Sequence, residues 1–329
     1  MLIATTVIAC VLGWGMYEYR YFERERQAVK VLSRQRQNAT GLGTTCTRFD
    51  PPSFRGPTKV SPEPVLDLTE LSRGSIYRPI EHAYLFGGPF NDETAQALNS
   101  FRHLTSLRII TGPWMISQSV FEANPKLERL DVANCQLRER DVDAIANLPN
   151  LKELSLSGDK MPAGSATRVS RMQLKQLMLG QMAITDAAMV NISRMSSLST
   201  LDLSWCQFSS DSTLGLGQLQ RLEFLSLSLT TVDDRLFVQS TFPRLETLKL
   251  GDTKVTDEGV KGIVRNQGIV HLNLRKKQIT DEGVKELIKL PKLVTLDLSE
   301  TKITKQSLET LKAIPTLNFA EVVTDFSPN

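Results

Sequence analysis

Leu245-Glu-Thr-Leu-Lys-Leu-Gly-Asp-Thr-Lys-Val-Thr-Asp257 is followed 24 residues later by Ile269-Val-His-Leu-Asn-Leu-Arg-Lys-Lys-Gln-Ile-Thr-Asp281. Both open on an aliphatic pattern, Leu/Ile-x-x-Leu-x-Leu, and both close on Val/Ile-Thr-Asp. Working outward, the pattern restarts at Ile80, Leu104, Leu127, Leu151, Leu174, Leu198, Leu222, Leu245, Ile269, Leu293 and Leu317, always 23 or 24 residues apart. Its second column runs Ala83, Leu107, Leu130, Leu154, Leu177, Leu201, Leu225, Leu248, Leu272, Leu296, Ala320, and its third runs Leu85 to Val322. Every position in the three columns is aliphatic. Self-similarity at a fixed period of this length marks an array of small units, none able to bury its own apolar face, each covering its neighbour's.

The rest of the period says what the unit is. Alternating leucines over six residues predict a short strand with one buried face. A further aliphatic or aromatic residue follows ten positions after most starts, and then Thr185-Asp186, Thr256-Asp257-Glu258 or Thr280-Asp281-Glu282. A hydroxyl there can cap a helix, and acids in the first turn complement its dipole. Apolar residues three apart come next, as in Val260/Ile263 and Val284/Leu287, until Pro125, Pro149, Pro243, Pro291 or Pro315 stops the helix two residues before a new start. The expected fold is therefore α/β: a solenoid with a curved parallel sheet on its concave side and short helices on its convex side. Ten repeats of 23–24 residues and a final strand fill residues 80–329. Leu151–Gln173 departs from the pattern through Met161-Pro-Ala-Gly-Ser-Ala-Thr167, which predicts an irregular connection.

Upstream, residues 2–17 are uncharged and mostly apolar. At 1.5 Å per residue they reach roughly 24 Å against a hydrocarbon core near 30 Å. Trp14, Tyr17, Tyr19 and Tyr21 lie where interfacial aromatics belong, and Arg20 opens a charged flank. Residues 1–17 are read as a transmembrane segment, 18–37 as a juxtamembrane helix, 38–64 as a Pro/Gly-rich linker and 65–79 as an amino-terminal cap. With Met1 as the true start, the basic flank favours a cytoplasmic array; a longer basic amino terminus reverses this.

Composition narrows the function. The 329 residues carry 39 Lys+Arg and 36 Asp+Glu, and the excess of three lies in residues 18–36. The remainder is neutral, whereas a general nucleic-acid binder needs a basic face. Cys135 and Cys206 share a turn position with Thr230, Thr253 and Thr301, where a small polar group satisfies backbone. His82 and His271 are eight repeats apart, so no acid/base pair or metal site can be assembled from them. No catalytic, metal or cofactor-binding residue is assigned.

The repeat, over residues 80–329, resembles the leucine-rich-repeat family. The short Leu-x-x-Leu-x-Leu-x-x-Thr-x-Ile-Thr-Asp unit is similar to bacterial versions. The apolar segment with its Glu-Arg-Glu-Arg-Gln-Ala-Val flank at 23–29 is similar to membrane-tethered planctomycete examples, although the short basic stretch that usually opens those anchors is missing. The resemblance implies recognition of a protein or peptide, without chemistry. A spacing protein of the envelope and an enzyme with an unrecognised site are the alternatives.

The surface left for a partner is the outward strand face. Counting each start as position 1, positions 3, 5, 7 and 8 point outward. Large side chains gather at the amino end (Tyr84, Phe86, Ile110) and in the middle (Trp205, Phe224, Leu229). The candidate contact set is Trp205 and Phe224 as one aromatic anchor, Lys249, Arg275 and Asp202 supplying charge, and Tyr84, Phe86 and Arg108 as a second group.

Overall fold

A computed structural model describes residues 24–25, 27–28, 31, 81–86, 90–110, 115–158, 161–276 and 278–325, with the side chains of Tyr84 and Phe86 left out. The expected membrane segment, linker and cap lie outside the described residues, as does most of the juxtamembrane helix, of which Arg24, Glu25, Gln27, Ala28 and Val31 are helical. Among the described residues no helix is long and apolar enough to cross a membrane. The chain divides into two compact units, with the boundary between Leu151 and Lys152.

The first unit alternates β1 (His82–Phe86), α1 (Asp92–Asn99), β2 (Ser106–Ile110), α2 (Gln118–Ala123), β3 (Arg129–Ala133) and α3 (Glu139–Ala146). Its strands pair in parallel and in sequence order, with Ala83, Leu107 and Leu130 in one row. The second unit continues with β4 (Glu153–Ser157), α4 (Ser165–Val169), β5 (Gln176–Gly180), α5 (Asp186–Ser193) and β6 (Thr200–Asp202). After β6 come a 3-10 segment (Ser210–Gln218), β7 (Phe224–Ser226), α6 (Arg235–Gln239), β8 (Thr247–Lys249) and α7 (Asp257–Ile263). It closes with β9 (His271–Asn273), α8 (Asp281–Leu287), β10 (Thr295–Asp297), α9 (Lys305–Leu311) and β11 (Val322–Val323). These strands are parallel too, and Leu154, Leu177, Leu201, Leu225, Leu248, Leu272 and Leu296 sit side by side through the pairing of successive strands. Each is at most 2 % exposed. Full burial of one such leucine is worth about 1.5–3 kcal/mol, so the column contributes strongly to cohesion between coils.

Two local expectations are corrected. The Met161–Thr167 connection runs into the short helix α4, entered through Gly164 in a left-handed conformation (φ 77°). At the carboxyl end Leu296 pairs with Val322, not with Ala320. Residues Phe319–Glu321 form a 3-10 turn capped by the Asn318 side chain, which accepts from the Ala320 N–H at 3.2 Å. That turn delays the last strand by two residues, and because strand side chains alternate, a shift of two keeps the same face.

The Thr-Asp motif does more than cap. Thr256, Thr280 and Thr304 each accept from a backbone N–H of their own helix at 3.3 Å. Each also donates its N–H and its hydroxyl to the preceding coil's aspartate: Asp234 (2.7 and 2.7 Å), Asp257 (2.9 and 2.7 Å) and Asp281 (2.8 and 2.7 Å). The glycine of Asp-Glu-Gly-Val has its reason here. A Cβ on Gly259 would meet Asp234 Oδ1 at 2.4 Å, and one on Gly283 would meet Asp257 Oδ1 at 2.2 Å. The turn position read as polar behaves as expected. Thr230, Thr253 and Thr301 donate to the carbonyls of Leu227, Leu250 and Leu298, and the Cys206 thiol donates to Leu179 O at 3.2 Å. Burial pushes that thiol up to about 12, so it stays protonated and serves as a small polar filler.

Candidate binding face

Among the described residues, seven strands end in a sharp turn made at position 8. Asn134, Gln181, Trp205, Leu229, Asp252, Lys276 and Glu300 all take positive φ there, between 52° and 63°. In the second unit the turn is held by bonds between coils. The N–H groups of Trp205, Leu229, Asp252 and Lys276 donate to Ser228, Gly251, Arg275 and Ser299 carbonyls at 2.7–3.1 Å. Asparagine and aspartate tolerate this left-handed region, but a bulky side chain in it is an outlier. Trp205 and Leu229 therefore hold strained conformations, and they do so in adjacent coils. Trp205 is 47 % and Leu229 36 % exposed, which sets two apolar side chains at the same turn of adjacent coils, beside the strands.

Beside these turns the face is closed. Position 5 carries Asp202, Ser226 and Lys249 on β6, β7 and β8, side by side in register. Asp202 is 4 % exposed and Phe224 5 %. The Lys249 ammonium lies over the Phe224 ring, 5.4 Å from its centroid. The expectation of two open rings is thus corrected at Phe224. Its ring lies down under Lys249 while Trp205 projects from the turn, because position 3 sits on the sheet and position 8 leaves it. Asp202 Oδ1 accepts from the Ser204 N–H at 2.8 Å, and the Ser204 and Ser226 hydroxyls are 2.7 Å apart. Its other oxygen, Oδ2, is buried and makes no well-formed hydrogen bond. Burial pushes the Asp202 carboxyl above the usual range, against the opposing pull of the Ser204 amide, neighbouring serine hydroxyls and the Lys249 ammonium.

The remaining candidates are spread out. Arg275 pairs with Glu300, and Lys276 reaches Asp252 at 3.4 Å and Glu300 at 3.9 Å, so the basic residues at this end are held by acids of the same chain. Arg108 belongs to the first unit, where it meets Asp131 at 2.9 Å. Tyr84 and Phe86 lie on β1 of that unit. His82 and His271 face different neighbours, Arg129 at 3.4 Å and Thr295 at 2.8 Å. Among the described residues no group of three or more His, Cys, Asp or Glu is placed to hold a metal ion. Leu229 stood in the sequence as one large residue among several. Its pairing with Trp205 at a strained turn carries no sequence signal, because the preceding and following coils put Gln181 and Asp252 at the same position.

A fold of parallel strands, each followed by a turn and a returning helical segment, defines a coil-stacking repeat protein. The matches name the repeat. A family described as Leucine Rich repeat matches residues 194–212 and 244–264, and a second, Leucine Rich Repeat, matches 126–148. Among solved structures the chain is similar to an internalin (inlF) from Listeria monocytogenes str. 4b F2365. The two are 18 % identical, with 71 % of this chain and 64 % of that one covered and a TM-score of 0.54. It is also similar to a TDR receptor, 13 % identical over 72 % of this chain and 45 % of that one, with a TM-score of 0.47. The chain thus spans less than two thirds of either solved chain. Comparison with curated proteins found no match. The chain carries leucine-rich repeats.

Proposed function

We propose that this leucine-rich-repeat protein recognises a protein or peptide partner on the strand face of its second unit, by equilibrium binding without chemistry, and that residues 2–17 tether it to a membrane. The observation that carries the reading is the Trp205–Leu229 pair. Two large apolar side chains stand exposed in adjacent coils, each in a backbone conformation that costs of order 1–3 kcal/mol. A spacing protein has no use for such a pair, and a uniformly polar face would suit it better. Aromatic anchors are the residue type enriched in binding hot spots.

Capture of partners by the full chain, in detergent, tests the reading. Trp205→Ala combined with Leu229→Ala is expected to abolish capture while leaving the unfolding midpoint near that of the parent. Equal capture by parent and double variant would count against the site. The tether has its own test: the full chain is expected in the membrane fraction, resistant to a high-salt wash and released by detergent.

A further inference from the structure

The position-5 column shows how this fold treats a carboxylate on its strand face. Asp131 is met by Arg108 of the preceding coil. Asp297 accepts from Ser299 through Oδ1, and its Oδ2 takes the Asn273 side-chain N–H of the preceding coil at 2.9 Å. Asp202 makes the same local bond to the residue two positions on, but the preceding coil offers Met178, which has no N–H or O–H in its side chain. Its Oδ2 is left buried with no well-formed hydrogen bond. The Ser204 and Ser226 hydroxyls and the Lys249 ammonium act on this carboxyl, but a buried carboxylate oxygen without a well-formed bond is still costly and rare enough to call for an explanation.

The surroundings fit a donor from outside. Ser204, Ser226, Ser228 and Gly251, all small, neighbour Asp202 on these coils, and Trp205 and Leu229 stand exposed where the strands turn. The other charged groups of this face have assignments: Lys249 on the Phe224 ring, Arg275 on Glu300, Lys276 between Asp252 and Glu300. Lys249 is a long, flexible side chain, so an incoming cation can displace it from the neighbourhood of the carboxylate.

We infer that the partner is a peptide segment bearing an arginine or lysine, whose cation pairs with Asp202 while an adjacent apolar side chain packs on Trp205 and Leu229. This rests on the recognition reading above and adds the chemistry of the ligand. Pairing with a cation favours the ionised carboxylate, so binding strengthens as pH rises through the Asp202 titration. The groups facing Asp202 are Met178 from β5 and Ser226 from β7, which do not titrate, Lys249 from β8, and the Cys206 thiol, raised to about 12 by burial.

The test uses the full chain in detergent and, as probe, a display library of random dodecapeptides. Peptides retained by the parent and lost by Trp205→Ala are sequenced, synthesised and titrated. Enrichment in Arg or Lys is expected. Asp202→Asn, which preserves size and the bond to Ser204, should weaken these peptides tenfold or more, as loss of a charge-assisted bond does. Replacing the peptide arginine with neutral citrulline should cost the parent a similar factor and the Asp202→Asn variant little, a comparison that does not depend on how the variant folds. The affinity of the parent should fall as pH is lowered through the Asp202 titration, and that of the variant should stay level. Trp205-dependent peptides without basic enrichment, or with affinity indifferent to Asp202→Asn and to citrulline, would overturn the inference and leave recognition standing. Retention of no Trp205-dependent peptide would overturn both.

Discussion

The Asp257 carboxylate takes two hydrogen bonds from Thr280 in the next coil, from its N–H at 2.9 Å and its hydroxyl at 2.7 Å. Asp234 with Thr256, and Asp281 with Thr304, repeat the arrangement. Each threonine thus caps its own helix and is held by the coil before it, so helix initiation and stacking are one event. Gly283 completes the set, since any Cβ there would lie on the Asp257 carboxylate.

A double-mutant cycle follows from that crowding. Gly283→Ala should destabilise by about 1–3 kcal/mol through overpacking. Asp257→Ala should cost about 1–3 kcal/mol through lost bonds to Thr280. Since the first clash is with the group the second removes, the double variant should lose less than the sum. Urea unfolding of the four proteins measures the coupling; strict additivity would show that the carboxylate is not what Gly283 avoids.

Asp281 gives the same ladder a titration signature. The Ser307 hydroxyl, then the Thr304 hydroxyl and N–H, hold its carboxyl below the usual range. Its contribution to stability is therefore present above the unfolded-state value and is lost as pH falls through the lower folded-state value. Ser307→Ala should move the Asp281 carboxyl resonance to titrate at higher pH in NMR. An unmoved titration would remove Ser307 as its main support.

Asp202 predicts the opposite sign. Its carboxyl is raised by burial, so its stability contribution is complete below the unfolded-state value and is lost as pH rises through the folded-state one. Asp202→Asn, which keeps the Ser204 bond and removes the buried charge, should match the parent in acid and unfold at a higher midpoint above the titration. Thermal unfolding at a series of pH values checks this. A variant that is less stable than the parent at every pH would mean the carboxylate is satisfied after all.

Much of this was legible in the sequence, for identifiable reasons. Leu177, Leu201, Leu225 and Leu248 fall into one buried row because a two-residue side-chain period and a 23–24-residue repeat leave no other register that buries them. Thr256 and Thr280 were readable as caps, but their bonds to the preceding coil were not, since those depend on how coils stack. Ala320 was misplaced because the Asn318-capped turn inserts without changing the aliphatic pattern. At the candidate site, Trp205 and Phe224 look alike in a list of large outward residues. Only the geometry separates a ring lying on the sheet under Lys249 from one thrown outward by a left-handed turn.

Leu225 measures the row itself. It is fully buried on β7 between Leu201 and Leu248. Leu225→Ala should cost about 2–5 kcal/mol in urea unfolding, from lost transfer energy and the cavity left behind. A loss well under 1 kcal/mol would mean that the coils part or collapse there more readily than their pairing implies.

Trp205 joins stability to function, and its prediction has two arms with different signs. The residue sits at φ 63°, where asparagine is favoured and a bulky side chain is strained by about 1 kcal/mol or more. Asn134 already occupies the equivalent turn in the first unit, which shows the substitution to be compatible with this fold. Trp205→Asn relieves the backbone but gives up whatever packing the half-exposed ring makes. The unfolding midpoint should therefore stay level or rise only slightly, because relief of the turn opposes the loss of the ring's buried half. Binding should go the other way: if the ring is the anchor, the same change should weaken the partner by about 2 kcal/mol or more. A residue kept for stability would lower both quantities together, and one kept for nothing would lower neither. A raised midpoint with lost binding is the pattern expected where a strained conformation is maintained for recognition.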